Sequence, residues 1–311
     1  MQERLIFNDN SFTYCHASTV VETAQGLLMA CHAGPAEGHP NTGIWCAIFN
    51  GEWCEQKQVI DSMQSDGQRV PLWNPVLFSN DAEYKLYYRI GRSPDDWRCA
   101  YVSTLDTNSW SSSELLPKTL TGPVRNKPLK LKTGNIIIPT STETDGWSIH
   151  FELFQEGESS WQNIAVPHNG LKAIQPVILQ HENNTLQALC RTGNSHIAQT
   201  WSYDDGMSWS QLELTKLINP NAAIDALKCD NLGYLLLYND CKFGRYKLEI
   251  ATSKDGHCWN KKITLENSMG EYSYPCSVVS EDGSLHVLYT FNRKNIKHVN
   301  LSRTELVSLF D

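Results

Sequence analysis

Two series of residues recur along this chain at a steady interval, and nearly every member carries a group that can do chemistry. The first is His16, Asn74, Lys127, Gln175, Asp225 and Tyr274, with steps of 58, 53, 48, 50 and 49 residues. The second is His32, Arg89, Glu143, Arg191, Asn239 and Arg293. A further carboxylate, Glu37, lies in the Gly/Pro-rich stretch Ala33-Gly34-Pro35-Ala36-Glu37-Gly38-His39-Pro40. Carboxylates such as Glu37, Glu143 and Asp225 are the usual apparatus for cleaving a glycosidic bond when two of them flank it. Arginines suit a sugar that is itself acidic, because the guanidinium fork donates two parallel hydrogen bonds to a carboxylate. His16, Tyr274 and Lys127 suit a different reaction, removal of the proton α to a uronate carboxylate. His16, His32 and His39 lie close in sequence, but His16 begins one strand and His32 ends another, so no metal set is expected.

What positions these residues is a repeat. Six times a short turn leads into an apolar strand, whose first apolar residues are 27, 86, 136, 186, 235 and 285, stepping by 59, 50, 50, 49 and 50. A tryptophan series, Trp53, Trp110, Trp161, Trp209 and Trp259, runs out of phase with it at steps of 57, 51, 48 and 50. Two interleaved series of one period mean one supersecondary unit copied six times, and a unit of this size with several short strands is a propeller blade. The expected fold is all-β, a six-bladed β-propeller formed as a single domain over residues 1–311.

The fourth copy is the clearest. Pro176–Leu179 is an apolar run, as in a strand buried on both faces; Leu186–Cys190 returns, Ile197–Trp201 forms a third strand, and a fourth leaves from Trp209. In blade six the outer strand must come from Glu3–Asn8 or from Leu306–Phe310, and either closes the ring without leaving an edge. The first series of polar residues stands just before each innermost strand, often with proline next, and the second stands where the following strand returns. Both series are therefore expected at one mouth.

Composition narrows the partners. A formal net charge of −8 and a pI near 5.7 argue against nucleic acid or an anionic membrane. No apolar run approaches the ~18 residues needed to span a bilayer. The opening Met1–Phe7 lacks the basic patch and apolar core of a signal peptide. The ten cysteines are scattered and several sit in apolar strand patterns, so reduced core thiols in a cytoplasmic protein are expected, without cofactor and as a monomer.

The turn Ser202-Tyr203-Asp204-Asp205-Gly206-Met207-Ser208-Trp209 recurs as Thr252 to Trp259 and, degenerate, as Ser103 to Trp110. Ser and Asp side chains there can satisfy backbone donors, Gly can supply positive φ, and Trp can plug the wedge between blades. Ser-x-Asp-x-Gly-x-x-Trp at blade spacing is the Asp-box of the sialidase superfamily, and the chain resembles its bacterial BNR-repeat branch. The resemblance covers almost the whole length and includes His16-Ala17-Ser18-Thr19, Trp73-Asn74-Pro75-Val76, Gly122 to Pro128, Leu189-Cys190-Arg191-Thr192, Ile224-Asp225-Ala226-Leu227 and Tyr272-Ser273-Tyr274-Pro275. The boxes themselves are structural.

The resemblance implies roles, and the match is partial. Tyr274 takes the place of a nucleophilic tyrosine and Arg191 that of a carboxylate-binding arginine. His16 stands where another such arginine is expected, and Gln175 where a glutamate would activate the tyrosine. A phenol of pKa ≈ 10 needs a nearby base, and an amide is none. The Glu37 loop sits where the family keeps its general acid. If that loop folds inward, Trp45 would partly desolvate Glu37 and raise its pKa; otherwise Glu37 is a solvated loop carboxylate. Asp225 serves either as a base or as the structural acceptor for Lys127 or an arginine. Asn74, Lys127, Glu143, Gln175, Asn239, Arg89, Arg191 and Arg293 are expected to bind the sugar. The leading expectation is an exo-acting glycoside hydrolase for a terminal acidic sugar, sialic-acid-like or uronic. A polysaccharide lyase acting at a uronate and a carbohydrate-binding propeller without catalysis are the alternatives.

Overall fold

The computed structural model describes residues 1–7, 12–80, 83–144 and 146–311, apart from the side chain of Glu55. Among them are six four-stranded antiparallel sheets, the blades of a β-propeller. Five of them are meanders of consecutive strands, the pattern that alternating strands and tight turns dictate, and the sixth takes its outer strand from the start of the chain. The chain divides into two compact units, Met1–Thr119 with Tyr274–Arg303, and Leu120–Ser273 with Thr304–Asp311.

In the first unit, blade one consists of Tyr14–Thr23, Gly26–Gly34, Gly43–Asn50 and Glu52–Ile60. Blade two consists of Leu72–Asn80, Glu83–Ile90, Arg98–Thr104 and Glu114–Leu115. Blade six runs from Tyr272–Val279 through Leu285–Phe291 and Asn295–Leu301, and its fourth strand is Gln2–Leu5. Gln2 lies opposite Asn300 and Leu5 opposite Lys297, so the N-terminal candidate supplies the outer strand. Its expected end, Asn8, lies outside the described residues. The C-terminal candidate is instead the helix Arg303–Ser308. Its following residues dock on the second unit, where Thr252 Oγ1 donates to the Leu309 carbonyl at 3.2 Å.

In the second unit, blade four consists of Ala173–Gln180, Leu186–Thr192, His196–Ser202 and Glu213–Ile218, the last starting four residues beyond Trp209. Blade three has only a two-residue first strand, Leu129–Lys130, before Ile136–Thr142, Ser148–Phe154 and Trp161–Ala165. Blade five consists of Asp225–Cys229, Gly233–Asn239, Lys247–Ser253 and Asn260–Asn267. The Asp-box works as its sequence demands. Gly206 N donates to Ser202 Oγ at 2.9 Å, and Ser208 N donates to Asp204 Oδ1 at 2.9 Å. The turn thus delivers Trp209, which stacks on Phe151 of blade three at a centroid distance of 4.0 Å. All ten cysteines are free thiols, eight of them buried.

The first strands carry an irregularity that shapes the site. In blade one, His16 pairs with His32 and the next pair is Thr19 with Ala30. In blade two, Trp73 pairs with Arg89 and then Val76 with Tyr87; in blade four, Ile174 pairs with Arg191 and then Val177 with Leu189. Two residues therefore oppose one at the same place in three blades, which is a β-bulge. The first bulged residue is left-handed each time, at φ 55° for Ala17, 39° for Asn74 and 55° for Gln175, and Tyr274 of blade six shares this conformation at φ 53°. Non-glycine residues adopt it at a cost of roughly 1–3 kcal/mol each, and such positions cluster at functional sites.

Candidate active site

The bulges correct the phase of the first polar series. Asn74, Gln175 and Tyr274 do not precede their strands; each is the third residue within one. The residue equivalent to them in blade one is Ala17, so His16 stands one position early, in the place that Trp73 and Ile174 hold. Three members of the second series, His32, Arg89 and Arg191, are in phase, lying directly opposite these residues.

In the first unit, a bulge re-aims its strand, and His16, His32 and Tyr274 come together. The His16 ring lies 4.1 Å from that of Tyr274 and 5.7 Å from that of His32, centroid to centroid. His16 is 2% exposed, and its Nδ1 is 2.9 Å from Thr290 Oγ1, which also accepts the Ala17 N–H at 3.2 Å. Tyr14, two residues before His16 and so on the same strand face, stacks on His32 at 5.8 Å. Tyr14 is a site residue that reading by blade period passes over; the period-2 alternation of its strand was the available signal.

Glu37 joins this cluster, though not as desolvation by Trp45 would have it. Trp45 packs against Phe12 at 5.2 Å. The Glu37 side chain is 47% exposed and forms an ion pair with Arg293 Nη1. Arg293 Nη1 also donates to Tyr14 Oη at 3.4 Å. Burial, foremost, and the neighbouring Glu37 charge push the Tyr14 phenol well above its ordinary value. The loop is held rather than loose. Thr42 Oγ1 donates to the Ala36 carbonyl at 2.9 Å and Thr13 Oγ1 to the Pro35 carbonyl at 2.6 Å. Gly38, at φ 70°, brings its backbone against Trp73, where a Cβ would come within 3.1 Å of the indole. Asn74 donates its backbone N–H to His32 Nδ1 at 3.1 Å, and Arg89 is buried opposite Trp73.

The second unit assembles a different group. Arg191 donates from Nη1 to Gln175 Oε1 at 3.0 Å and from Nε to Asn221 Oδ1 at 2.8 Å, and its guanidinium lies 5.5 Å from the Trp147 ring centre. Asn126, another residue missed by the period, donates from Nδ2 to the carbonyls of Gln175 and Pro176, both at 3.1 Å. The signal for Asn126 was its place in the Gly122–Pro128 segment. Lys127 and Asp225, which the sequence reading paired as possible partners, line one cavity of about 360 Å³ together with Val177, Leu179 and Lys228. Asp225 is buried at the start of its strand. Asn239 uses Nδ2 to hold the carbonyls of Lys247 and Tyr272, at 3.0 and 2.8 Å, which makes its role structural. Glu143 is half-buried just beyond Ile136–Thr142. Among the described residues no group of His, Cys, Asp and Glu is arranged to hold a metal ion, and no helix is long and apolar enough to cross a membrane.

The BNR repeat-like domain model matches residues 25–287 of the chain. The chain belongs to the BNR repeat-like domain family. Within that family its blades follow those of solved sialidase structures. It is similar to the NanB sialidase of Streptococcus pneumoniae, at 12% identity and a TM-score of 0.76 over 97% of this chain and 71% of that one. It is similar to the intramolecular trans-sialidase of Ruminococcus gnavus in complex with oseltamivir carboxylate, at 13% identity and a TM-score of 0.76 over 94% of this chain and 95% of that one. The leech intramolecular trans-sialidase complexed with 2,7-anhydro-Neu5Ac is 13% identical, with a TM-score of 0.77 over 99% of this chain and 71% of that one. No curated protein matches the chain. At such identities the likeness is one of fold, so this BNR-repeat protein's chemistry has to be argued from its own side chains.

Proposed function

We propose that this BNR-repeat protein is a glycoside hydrolase for an acidic sugar whose proton transfers are carried by Glu37 and Tyr274. The observation that carries the reading is the contact of His16 with Tyr274, 4.1 Å between ring centres, in the same unit as the Glu37–Arg293 pair. An imidazole against a phenol can restore the proton that the phenol gives up. Arg293 and Arg89 of that same unit support an acidic sugar, since a guanidinium offers a fork to a carboxylate.

Glu37 in its ion pair is suited to accept a proton rather than to give one. It takes it from the water that attacks the anomeric carbon, while Tyr274 gives its phenol proton to the departing oxygen. The new carbon–oxygen bond comes from water and the broken one is the glycosidic bond. His16 returns a proton from solvent to Tyr274, and Glu37 releases its own, which restores the site. General acid–base help of this kind is worth on the order of 10²- to 10⁴-fold.

The same His16–Tyr274 contact favours a second reading. A tyrosine assisted by histidine can remove the proton α to a uronate carboxylate and cleave by β-elimination. Incubation with a panel of acidic glycosides tells the two apart. Release of a reducing acidic sugar supports hydrolysis, whereas a new ultraviolet absorption from an unsaturated uronate supports elimination. Binding of the panel without either product would reject both in favour of a carbohydrate-binding propeller.

A further inference from the structure

In three blades the backbone N–H of the left-handed bulge residue is taken by a side chain on the second strand of the blade before it. Ala17 donates to Thr290 Oγ1 at 3.2 Å, Asn74 to His32 Nδ1 at 3.1 Å and Gln175 to Ser141 Oγ at 3.2 Å. Thr290, His32 and Ser141 each stand five residues past the first apolar residue of their repeat, at 285, 27 and 136. Ser141 does this with a bare hydroxyl, so holding a bulge needs one acceptor and nothing more. Thr290 does more. Its hydroxyl is also bonded to His16 Nδ1 at 2.9 Å, and the His16 ring lies 4.1 Å from that of Tyr274. Thr290 is fully buried, so water does not compete for either bond.

We propose that Thr290 is a positioning residue for the proton transfers, holding His16 against Tyr274 in every protonation state of the ring and so making His16, rather than His32, the histidine that carries protons. The inference rests on the reading of His16 as the group that returns a proton to Tyr274. A hydroxyl both donates and accepts, whereas a backbone N–H only donates. When His16 is charged, its Nδ1–H and the Ala17 N–H take the two lone pairs of the Thr290 oxygen. Once the Nε2 hydrogen has passed to the Tyr274 phenolate the ring is neutral, and Nδ1 still donates. If the neutral ring carries its hydrogen on Nε2 instead, the hydroxyl turns and donates to Nδ1. The ring keeps its anchor, and its place beside the phenol, throughout. His32 is held differently. Its Nδ1 faces the Asn74 N–H and can only accept there, so a proton added at Nδ1 would set two hydrogens against each other. The two rings are 5.7 Å apart, yet their partners suit only one of them to change state.

Two measurements test the anchor. The first needs no turnover: NOEs between the ring hydrogens of His16 and Tyr274 in ¹³C-labelled protein. They should be strong in the parent and in Thr290→Ser, which keeps the hydroxyl, and weakened about threefold or more in Thr290→Val, which has the shape of threonine without it. NOEs between Tyr14 and His32, whose rings stack at 5.8 Å, should persist in all three and report an intact fold. Should the valine variant not fold, Thr290→Ala takes its place, and absence of the His16–Tyr274 NOEs in the parent already overturns the inference. The second measurement is the kinetics on the acidic glycoside that the parent turns over fastest. Thr290→Val should lower kcat about tenfold or more with KM within about twofold, and Thr290→Ser should restore kcat to within about threefold. In a His16→Gln background Thr290→Val should cost less than about twofold, because a positioning residue acts only through the group it holds. Equal losses in both backgrounds, or NOEs unmoved in Thr290→Val, overturn the inference and leave hydrolysis standing. An anchor that behaves as expected in a protein that cleaves no acidic glycoside rejects the hydrolase reading instead.

Discussion

Arg191 donates from Nη1 to the side-chain oxygen of Gln175 at 3.0 Å, across the bulge of blade four. An amide placed there orients the guanidinium without cancelling its charge, and Asn221, a further acceptor, is likewise neutral. This relationship gives Gln175 a role other than a lost base: it presents Arg191 to an anion.

Gln175→Glu should therefore weaken the binding of an acidic monosaccharide. The new carboxylate would pair with Arg191 and compete with the ligand's own. A loss of at least tenfold in affinity, about 1.4 kcal/mol, is expected by calorimetric titration with glucuronate or sialic acid. Arg191→Lys should weaken binding too, since the charge survives but the fork does not. Affinity unchanged in both variants would show that Arg191 holds no ligand carboxylate.

Glu37→Gln should lower the hydrolysis rate by roughly 10²- to 10⁴-fold and leave the melting temperature close to that of the parent. The side chain is 47% exposed, and exposed ion pairs contribute only about 0–1 kcal/mol. A rate within threefold of wild type would remove Glu37 from the proton transfers.

The blades were legible because a strand–turn unit repeats and because the Asp-box is a local motif whose bonds all lie within a few residues. The site was legible only to within one residue. Proline follows the left-handed position in Asn74-Pro75, Gln175-Pro176 and Tyr274-Pro275, and proline is tolerated in strands at bulges. Blade one has Ala17-Ser18 there, with no such mark, and His16 was placed in phase when Ala17 belongs there. The partner of Glu37 left no local trace at all. Arg293 is 256 residues away in sequence, and only the pairing of blades one and six brings it to the loop. Lys127 shows the opposite case, where irregular chain in blade three breaks the strand but the residue still reaches the cavity that Asp225 lines.

Removing the two halves of the Asp-box should have unequal effects on stability and none on chemistry. Trp209 is 6% exposed and stacked on Phe151, so Trp209→Ala should cost about 3–5 kcal/mol in urea denaturation. Asp204→Ala removes an acceptor for Ser202 and Ser208 and should cost about 1–2 kcal/mol. Activity per folded molecule should match wild type in both. A drop confined to activity would mean that the box does more than hold blades together.

Stability should fall in mild acid because of one histidine. His298 is fully buried; its Nδ1 accepts from Trp53 Nε1 at 3.1 Å and its Nε2 is 3.0 Å from His286 Nδ1. Burial, then the His286 and Arg4 charges, push its pKa down to about 3, against about 6.5 in an unfolded chain. Arg4 stands opposite His298 on the closing strand. Burial also lowers His286, partly opposed by Asp282. As pH falls below about 6.5 the unfolded state takes up a proton that the folded state refuses, so stability is full above that value and declines progressively toward pH 3. The total is on the order of a few kcal/mol. Between pH 6.5 and 5, where most carboxylates stay ionised, the urea midpoint of the parent should drop steadily, and His298→Gln should flatten that slope. The same slope in both proteins would place the acid sensitivity elsewhere.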